Sequence, residues 1–404
     1  MPARLRWIAL VTAAGITAVV IAIAVALVNG GGDASAPPGA AASPAPSTAA
    51  DPFVALTPFQ LRVLSFDVLE PVELPEDNPF TEAKSELGRF LFFDPRLSAN
   101  SAVSCASCHQ PDRGWADALS LNFGYAGSVH WRNTPTVINS AYHPKLGWDG
   151  KALRLDIQAQ GAMKGALAQN MDPVLVEERL RQIPEYVRRF AEVFGPGGPW
   201  FEDASRALAV FQSTLVSRNA PFDRFMEGDD LALSESAQRG LKLFTTTAGC
   251  SACHRGRLFT DEDFHALGVP APDDFSDDPV RQITFRYQLR SRGAPEEVYR
   301  TATDDPGLYL VTKSQTDIGQ FRTPMLRELG YTAPYMHNGA FETLEQVIAF
   351  YDAGGGVSPN LDPLLRPLGL SDRDKQDLVA FLQSLTGDPI VVMAPELPPY
   401  EVFK

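Results

Sequence analysis

Cys105-Ala-Ser-Cys108-His109 and Cys250-Ser-Ala-Cys253-His254 use all four cysteines of the 404-residue chain, and each pair is followed at once by histidine. A C-x-x-C pair alone fits a thioredoxin-like redox site or half of a zinc site. The adjoining histidine changes the chemistry. Two thiols at this spacing can add across the vinyl groups of a haem, and the imidazole next to them then falls under the iron as its proximal ligand. Two such motifs predict two covalently bound haem c groups. The proximal ligands are then His109 and His254, and the attachment points are Cys105, Cys108, Cys250 and Cys253.

Outward from these motifs, a weak internal repeat shows. Gly88-Arg-Phe-Leu91-Phe92 precedes the first and Gly240-Leu-Lys-Leu243-Phe244 the second, and Trp115 with Asp117 is echoed by Phe259 with Asp261. The expected fold is therefore all-α, with little β structure: two tandem cytochrome c-type domains over residues 52–230 and 231–404. The helical pattern supports this. Ala237, Leu241 and Phe244 share one face after Ser234, and Ser371 with Asp374 reads as a capping box opening a helix that Gly387 closes. Further helices are expected over residues 173–194, 201–216 and 344–351, while residues 270–316 read as an irregular surface excursion.

The N-terminus sets the compartment. Arg4 and Arg6 precede an uncharged stretch over residues 7–28, long enough to span a bilayer and longer than the apolar core of most cleaved signals. We read residues 1–28 as a transmembrane or signal helix, with retention as an anchor preferred and Ala34-Ser35-Ala36 as the cleavage alternative. Residues 29–51, rich in Ala, Pro and Ser, form a linker. Basic residues on the short side place the remainder outside the cytoplasmic membrane, in the periplasm or its equivalent. A net charge of −14 excludes nucleic acid as a partner.

With the haem motifs placed, residues 75–387 resemble the bacterial di-haem cytochrome c peroxidase/MauG family. The resemblance is carried by Leu87-Gly-Arg-Phe-Leu-Phe-Phe-Asp-Pro-Arg-Leu-Ser98; by Arg132-Asn-Thr-Pro-Thr136 with Trp148-Asp-Gly150; by Thr260-Asp261 with Phe264-His265; and by Thr332-Ala-Pro-Tyr-Met-His-Asn-Gly339 running into Thr343-Leu344. It implies a peroxide-site haem in the first domain and an electron-transfer haem in the second. The implied reaction reduces hydrogen peroxide through a high-valent iron intermediate, with electrons from a small c-type cytochrome or copper protein. It also implies Tyr351 as distal ligand of the second haem, with Met336 or Met325 as the alternative, and Trp148 as an inter-haem relay that ordinary packing would equally explain. A calcium ion is implied between the domains, on the Asn133 side chain and the Thr332 and Pro334 carbonyls.

The peroxide pocket departs from the family pattern. Gln158 matches, but the acid–base glutamate expected ten residues later is Ala168, and Gln169 and Asn170 cannot shuttle protons in its place. Tyr125 and His130 are the candidate replacements, each with a plain structural role as the alternative. His143, His265 and His337 read as polar residues near haem propionates or on the surface. Two further functions compete with peroxide removal. One is MauG-like oxidation of a partner protein's side chain, which Tyr351 favours and Ala248, where such enzymes carry tryptophan, disfavours; the other is a non-enzymatic di-haem electron carrier.

Overall fold

The computed structural model describes residues 53–271, 275 and 277–401. The anchor or signal segment and the linker lie outside the described residues, and no described helix is long and apolar enough to cross a membrane. The molecule is mostly helical with little sheet. In chain order the helices are α1 (Pro58–Val63), α2 (Glu82–Phe93), α3 (Cys105–Cys108), α4 (Leu155–Lys164), α5 (Pro173–Arg181), α6 (Pro184–Phe194) and α7 (Phe201–Gln212). They continue with α8 (Pro221–Met226), α9 (Glu235–Thr245), α10 (Pro279–Ser291), α11 (Glu296–Thr301), α12 (Tyr309–Thr312), α13 (Leu344–Asp352) and α14 (Asp372–Gln383). Strands β1 (Phe264–Ala266) and β2 (Gln320–Arg322) pair antiparallel, with His265 opposite Phe321.

The repeated glycines explain how each half is built. Helices α2 and α7 cross so closely at Gly88 that a Cβ there would lie 2.1 Å from the Ala207 carbonyl oxygen. At Gly240, where α9 meets α14, the corresponding distance is 1.9 Å to the Asp377 oxygen. Only glycine permits either crossing. One turn further on, Phe92 meets Phe211 edge-on at 5.3 Å, and Phe244 meets Phe381 at 5.0 Å. Each pair takes a third ring from the chain after its haem motif, Trp115 in the first half and Phe259 in the second.

Two hydrophobic cores result, and the chain ends cross between them. Leu61, Phe66 and the Phe222, Phe225 and Met226 side chains of α8 join the core of the second motif. Ile390, Val392 and Leu397 of the C-terminal tail pack on the core of the first. Trp115 Nε1 donates to the Ile390 carbonyl at 2.9 Å, fastening that tail.

Local elements mostly follow the sequence patterns. The Ser371–Asp374 capping box opens α14 as expected, although the helix stops at Gln383, before Gly387. Residues 173–194 form two helices rather than one, because Pro184 lacks an N–H and begins a new first turn. The helix expected over residues 201–216 ends at Gln212. The excursion over residues 270–316 is not irregular: α10, α11 and α12 enclose a small core of Phe285, Leu289, Ala294, Tyr309 and Leu310, with Trp131 of the first half packed against it.

Candidate active site

Both haem motifs open onto one cavity of about 1430 Å³, above the 300–1,000 Å³ usual for a single small-molecule pocket. His109 and His254 are held alike. The Nδ1 of His109 faces the Trp115 carbonyl at 3.1 Å, and that of His254 faces the Phe259 carbonyl at 2.9 Å. Such a bond fixes the ring and its tautomer and leaves Nε2 for a metal. To aim these carbonyls, Trp115 and Phe259 adopt φ of 58° and 57°, a left-handed conformation costly for a bulky residue. Burial holds both imidazoles below their ordinary pKa, hence neutral, as a metal ligand must be. The four cysteines form no disulfide. Thiols, imidazoles and cavity together fit two haem c groups.

The distal walls differ. In the second half Tyr351 lies on the cavity wall, within electrostatic reach of Cys250 and Cys253, and burial pushes its phenol above the ordinary value. Its hydroxyl makes no hydrogen bond among the described residues, so it is a polar group with no protein partner facing the cavity. Met336 also lines the cavity. Met325 does too, but its sulfur takes a contact from Asn139 Nδ2 at 3.8 Å, and the neighbouring Pro324 carbonyl faces His254, on the proximal side.

In the first half the wall includes Gln158, His130 and Ala168, and Tyr125 is not part of it. Instead the Tyr125 amide donates to the carbonyls of Leu167 and Ala168, clamping its loop onto the segment that carries Ala168. His130 is pushed down to about 4 by burial, with Arg132 adding to the effect, so its imidazole is neutral at physiological pH.

Between the halves, Trp148 donates its indole N–H to the Asn133 carbonyl at 2.9 Å and stands edge-on to His337 at 6.4 Å. His337, stacked on Phe321 at 3.7 Å, is held near 4 by burial, again with help from Arg132. The halves exchange reciprocal backbone bonds here: Asn133 N–H to the His337 carbonyl at 2.7 Å, and Arg322 N–H to the Trp148 carbonyl at 2.9 Å. Asn133, Thr332 and Pro334 all line the cavity, and the Asn133 Oδ1 and the carbonyls of Thr332 and Pro334 accept no hydrogen bond among the described residues.

Sequence reasoning missed the charges around this junction. Arg132 pairs with Asp149 at 2.7 Å and Asp305 at 2.5 Å, and Arg292 of the excursion also bonds Asp149. Burial would raise the Asp149 carboxyl, but the two guanidiniums outweigh it and hold it below its ordinary value. On the other side Glu262 links His143 at 2.5 Å to Arg322 at 3.0 Å. Arg132–Asp305, Arg292–Asp149 and His143–Glu262 each join residues over a hundred positions apart, and no local pattern announces them. Cys253, Asp261 and His265 also lie close enough to hold a metal ion, but Cys253 belongs to the haem motif.

Residues 82–231 match the family model described as di-haem cytochrome c peroxidase. The chain is 48% identical over 333 residues to Cytochrome-c peroxidase IdrP1 of Denitromonas iodatirespirans, covering 82% of this chain and 89% of that one. It belongs to the di-haem cytochrome c peroxidase/MauG family. Methylamine utilization protein MauG of Methylorubrum extorquens is 39% identical over 330 residues, covering 81% of this chain and 85% of that protein. The crystal structure of a MauG-like protein associated with microbial copper homeostasis superposes with a TM-score of 0.68 at 29% identity, covering 79% of this chain and 94% of that one. A member of this family is an oxidoreductase of the cytochrome-c peroxidase type, and two haem c groups are its cofactors.

Proposed function

We propose that this peroxidase reduces hydrogen peroxide at the first haem with electrons that enter singly at the second from a small c-type cytochrome or copper protein. The observation that carries the reading is the unequal pair of cavity walls: a phenol without a hydrogen-bond partner among the described residues beside Cys250 and Cys253, against Gln158, Ala168 and neutral His130 beside the first motif. When bound, the haem irons supply peroxide reduction and single-electron transfer. The rest is done by side chains. Cys105, Cys108 and His109 hold the first haem, and Cys250, Cys253 and His254 hold the second in its own cytochrome c-type domain.

Tyr351 would offer its oxygen to the second haem, and an anionic oxygen ligand would favour the oxidised metal where methionine would raise the potential. Trp148 carries charge between the haems. Its indole N–H donates to a backbone carbonyl, which unlike a carboxylate or imidazole does not take the proton away when the ring is oxidised. Gln158 orients peroxide, and His130 accepts the proton that Ala168 cannot. Asn133, Thr332 and Pro334 hold calcium at the junction. The catalytic part is exported, tethered to the cytoplasmic membrane by residues 7–28.

A second reading, oxidation of a partner protein's side chain, is favoured by Tyr351 together with the likeness to MauG. Steady-state turnover of hydrogen peroxide with a reduced small cytochrome tests the first reading. Turnover is expected without prior half-reduction of the enzyme, and Ala168→Glu should accelerate it by about 10²-fold, the lower end of what a positioned proton donor contributes. Peroxide consumption that no small electron donor supports would remove it in favour of the second.

A further inference from the structure

The reciprocal bonds between Asn133 and His337 and between Arg322 and Trp148 are one instance of a wider register. A single numerical offset, the one that carries Trp148 onto His337, also carries Asn133 onto Arg322, so each bond is the image of the other. The same offset maps the short helical turn Ser140–Tyr142 onto Leu329–Tyr331, with Asn139 and Glu328 before them at φ of 60° and 68°. It maps the bridge Leu146–Ala152 onto Tyr335–Phe341, and Gly150 onto Gly339, both at φ 65°. It maps the first residue of α4, Leu155, onto the first residue of α13, Leu344. The two cavity-facing helices are therefore equivalent residue by residue, and Gln158, Ala159 and Ala162 of α4 line the cavity where Val347, Ile348 and Tyr351 of α13 do.

Ala162 is the exact image of Tyr351. From this we infer that Ala162 determines which haem meets peroxide. Where the second half presents a phenol, the first presents a methyl group, too short to reach a metal and carrying no lone pair. The equivalence is one of backbone, so a long ligating side chain at 162 would approach the first haem as Tyr351 approaches the second. Which iron stays open in two halves that share this backbone then rests on the difference between Ala162 and Tyr351 on paired helices. This rests on the reading of Tyr351 as a ligand.

The test counts open irons. The fully oxidised holoprotein is titrated with cyanide and followed by absorption and EPR, with covalent haem content checked by mass spectrometry to show that each variant is folded and loaded. The unmodified protein should bind one equivalent, Tyr351→Ala two, and Ala162→Tyr none. The double variant Ala162→Tyr/Tyr351→Ala should return to one, now at the second haem. Ala162→His provides a second chance for ligation should the phenol meet a steric obstacle. Two equivalents in Tyr351→Ala with one still bound in both Ala162→Tyr and Ala162→His would overturn the role of Ala162 while leaving that of Tyr351 intact. One equivalent in Tyr351→Ala would defeat the tyrosine reading itself, and the inference with it.

Discussion

The two halves share a scaffold and differ at its ends. Behind each haem motif stands the same assembly: a glycine crossing, an edge-on phenylalanine pair, and a third aromatic residue in left-handed conformation whose carbonyl aims the histidine. Proximal geometry has thus been kept. In front of the motifs the halves diverge, with Ala162 against Tyr351 and Asn133 against Arg322. The Asn133 side presents a neutral amide, whereas Arg322 brings a cation, bonded to Glu262 and the Gly147 carbonyl. The duplicated fold holds the support constant and changes what faces the cavity.

The most drastic way to separate the halves is to remove one haem. Cys105→Ser/Cys108→Ser should lose the mass of one haem and all peroxide turnover while keeping the second haem reducible, and the Cys250→Ser/Cys253→Ser protein should also lose donor-dependent turnover. Equal residual turnover in both would show that the halves are interchangeable.

The shared support can be tested next. Gly88→Ala and Gly240→Ala each drive a methyl into a backbone carbonyl, an overpacking error of about 1–3 kcal/mol. Both should lower the melting temperature by similar amounts, measured calorimetrically on the holoprotein. A large effect at one glycine and none at the other would mean that the two crossings are not equivalent.

The smallest effect concerns Glu328, the counterpart of Asn139. Both start the same kind of turn, but Glu328 is a carboxyl at 1% exposure, and burial raises its pKa. A raised carboxyl stabilises the fold below its unfolded pKa, and that contribution is lost as pH rises through the folded value. Glu328→Gln, which keeps an acceptor for the Gly387 amide, should therefore raise the melting temperature at neutral pH, with the gain shrinking towards pH 4. A gain that grows on acidification would reverse the assignment.

Much of this was legible in the sequence. The C-x-x-C-H motifs gave the ligand chemistry because covalent attachment demands that spacing, and the segments containing Gly88 and Gly240 showed as an internal repeat, although their role as helix crossings emerged only from the close approach to Ala207 and Asp377. Tyr351 became visible only through family resemblance. The equivalence of α4 and α13 was harder to see, since identical residues such as Thr134 and Thr323 or Tyr142 and Tyr331 are sparse and the inserted helices α10 to α12 push the halves out of step. The Arg132–Asp149–Asp305 cluster was invisible, because ion pairs between distant segments leave no periodic trace. For Tyr125 the sequence left a pocket role and a structural role open, and its backbone bond to the 167–168 segment, another contact between separate segments, had no local signature.

The central claim is that one iron is closed by Tyr351 and the other is open. EPR of the fully oxidised protein, before and after one equivalent of hydrogen peroxide, tests it directly. The account predicts one low-spin and one high-spin ferric haem, with the high-spin signal lost on peroxide addition without prior reduction. Two low-spin haems that ignore peroxide until one electron is added, together with a near-infrared band of methionine ligation, would contradict it.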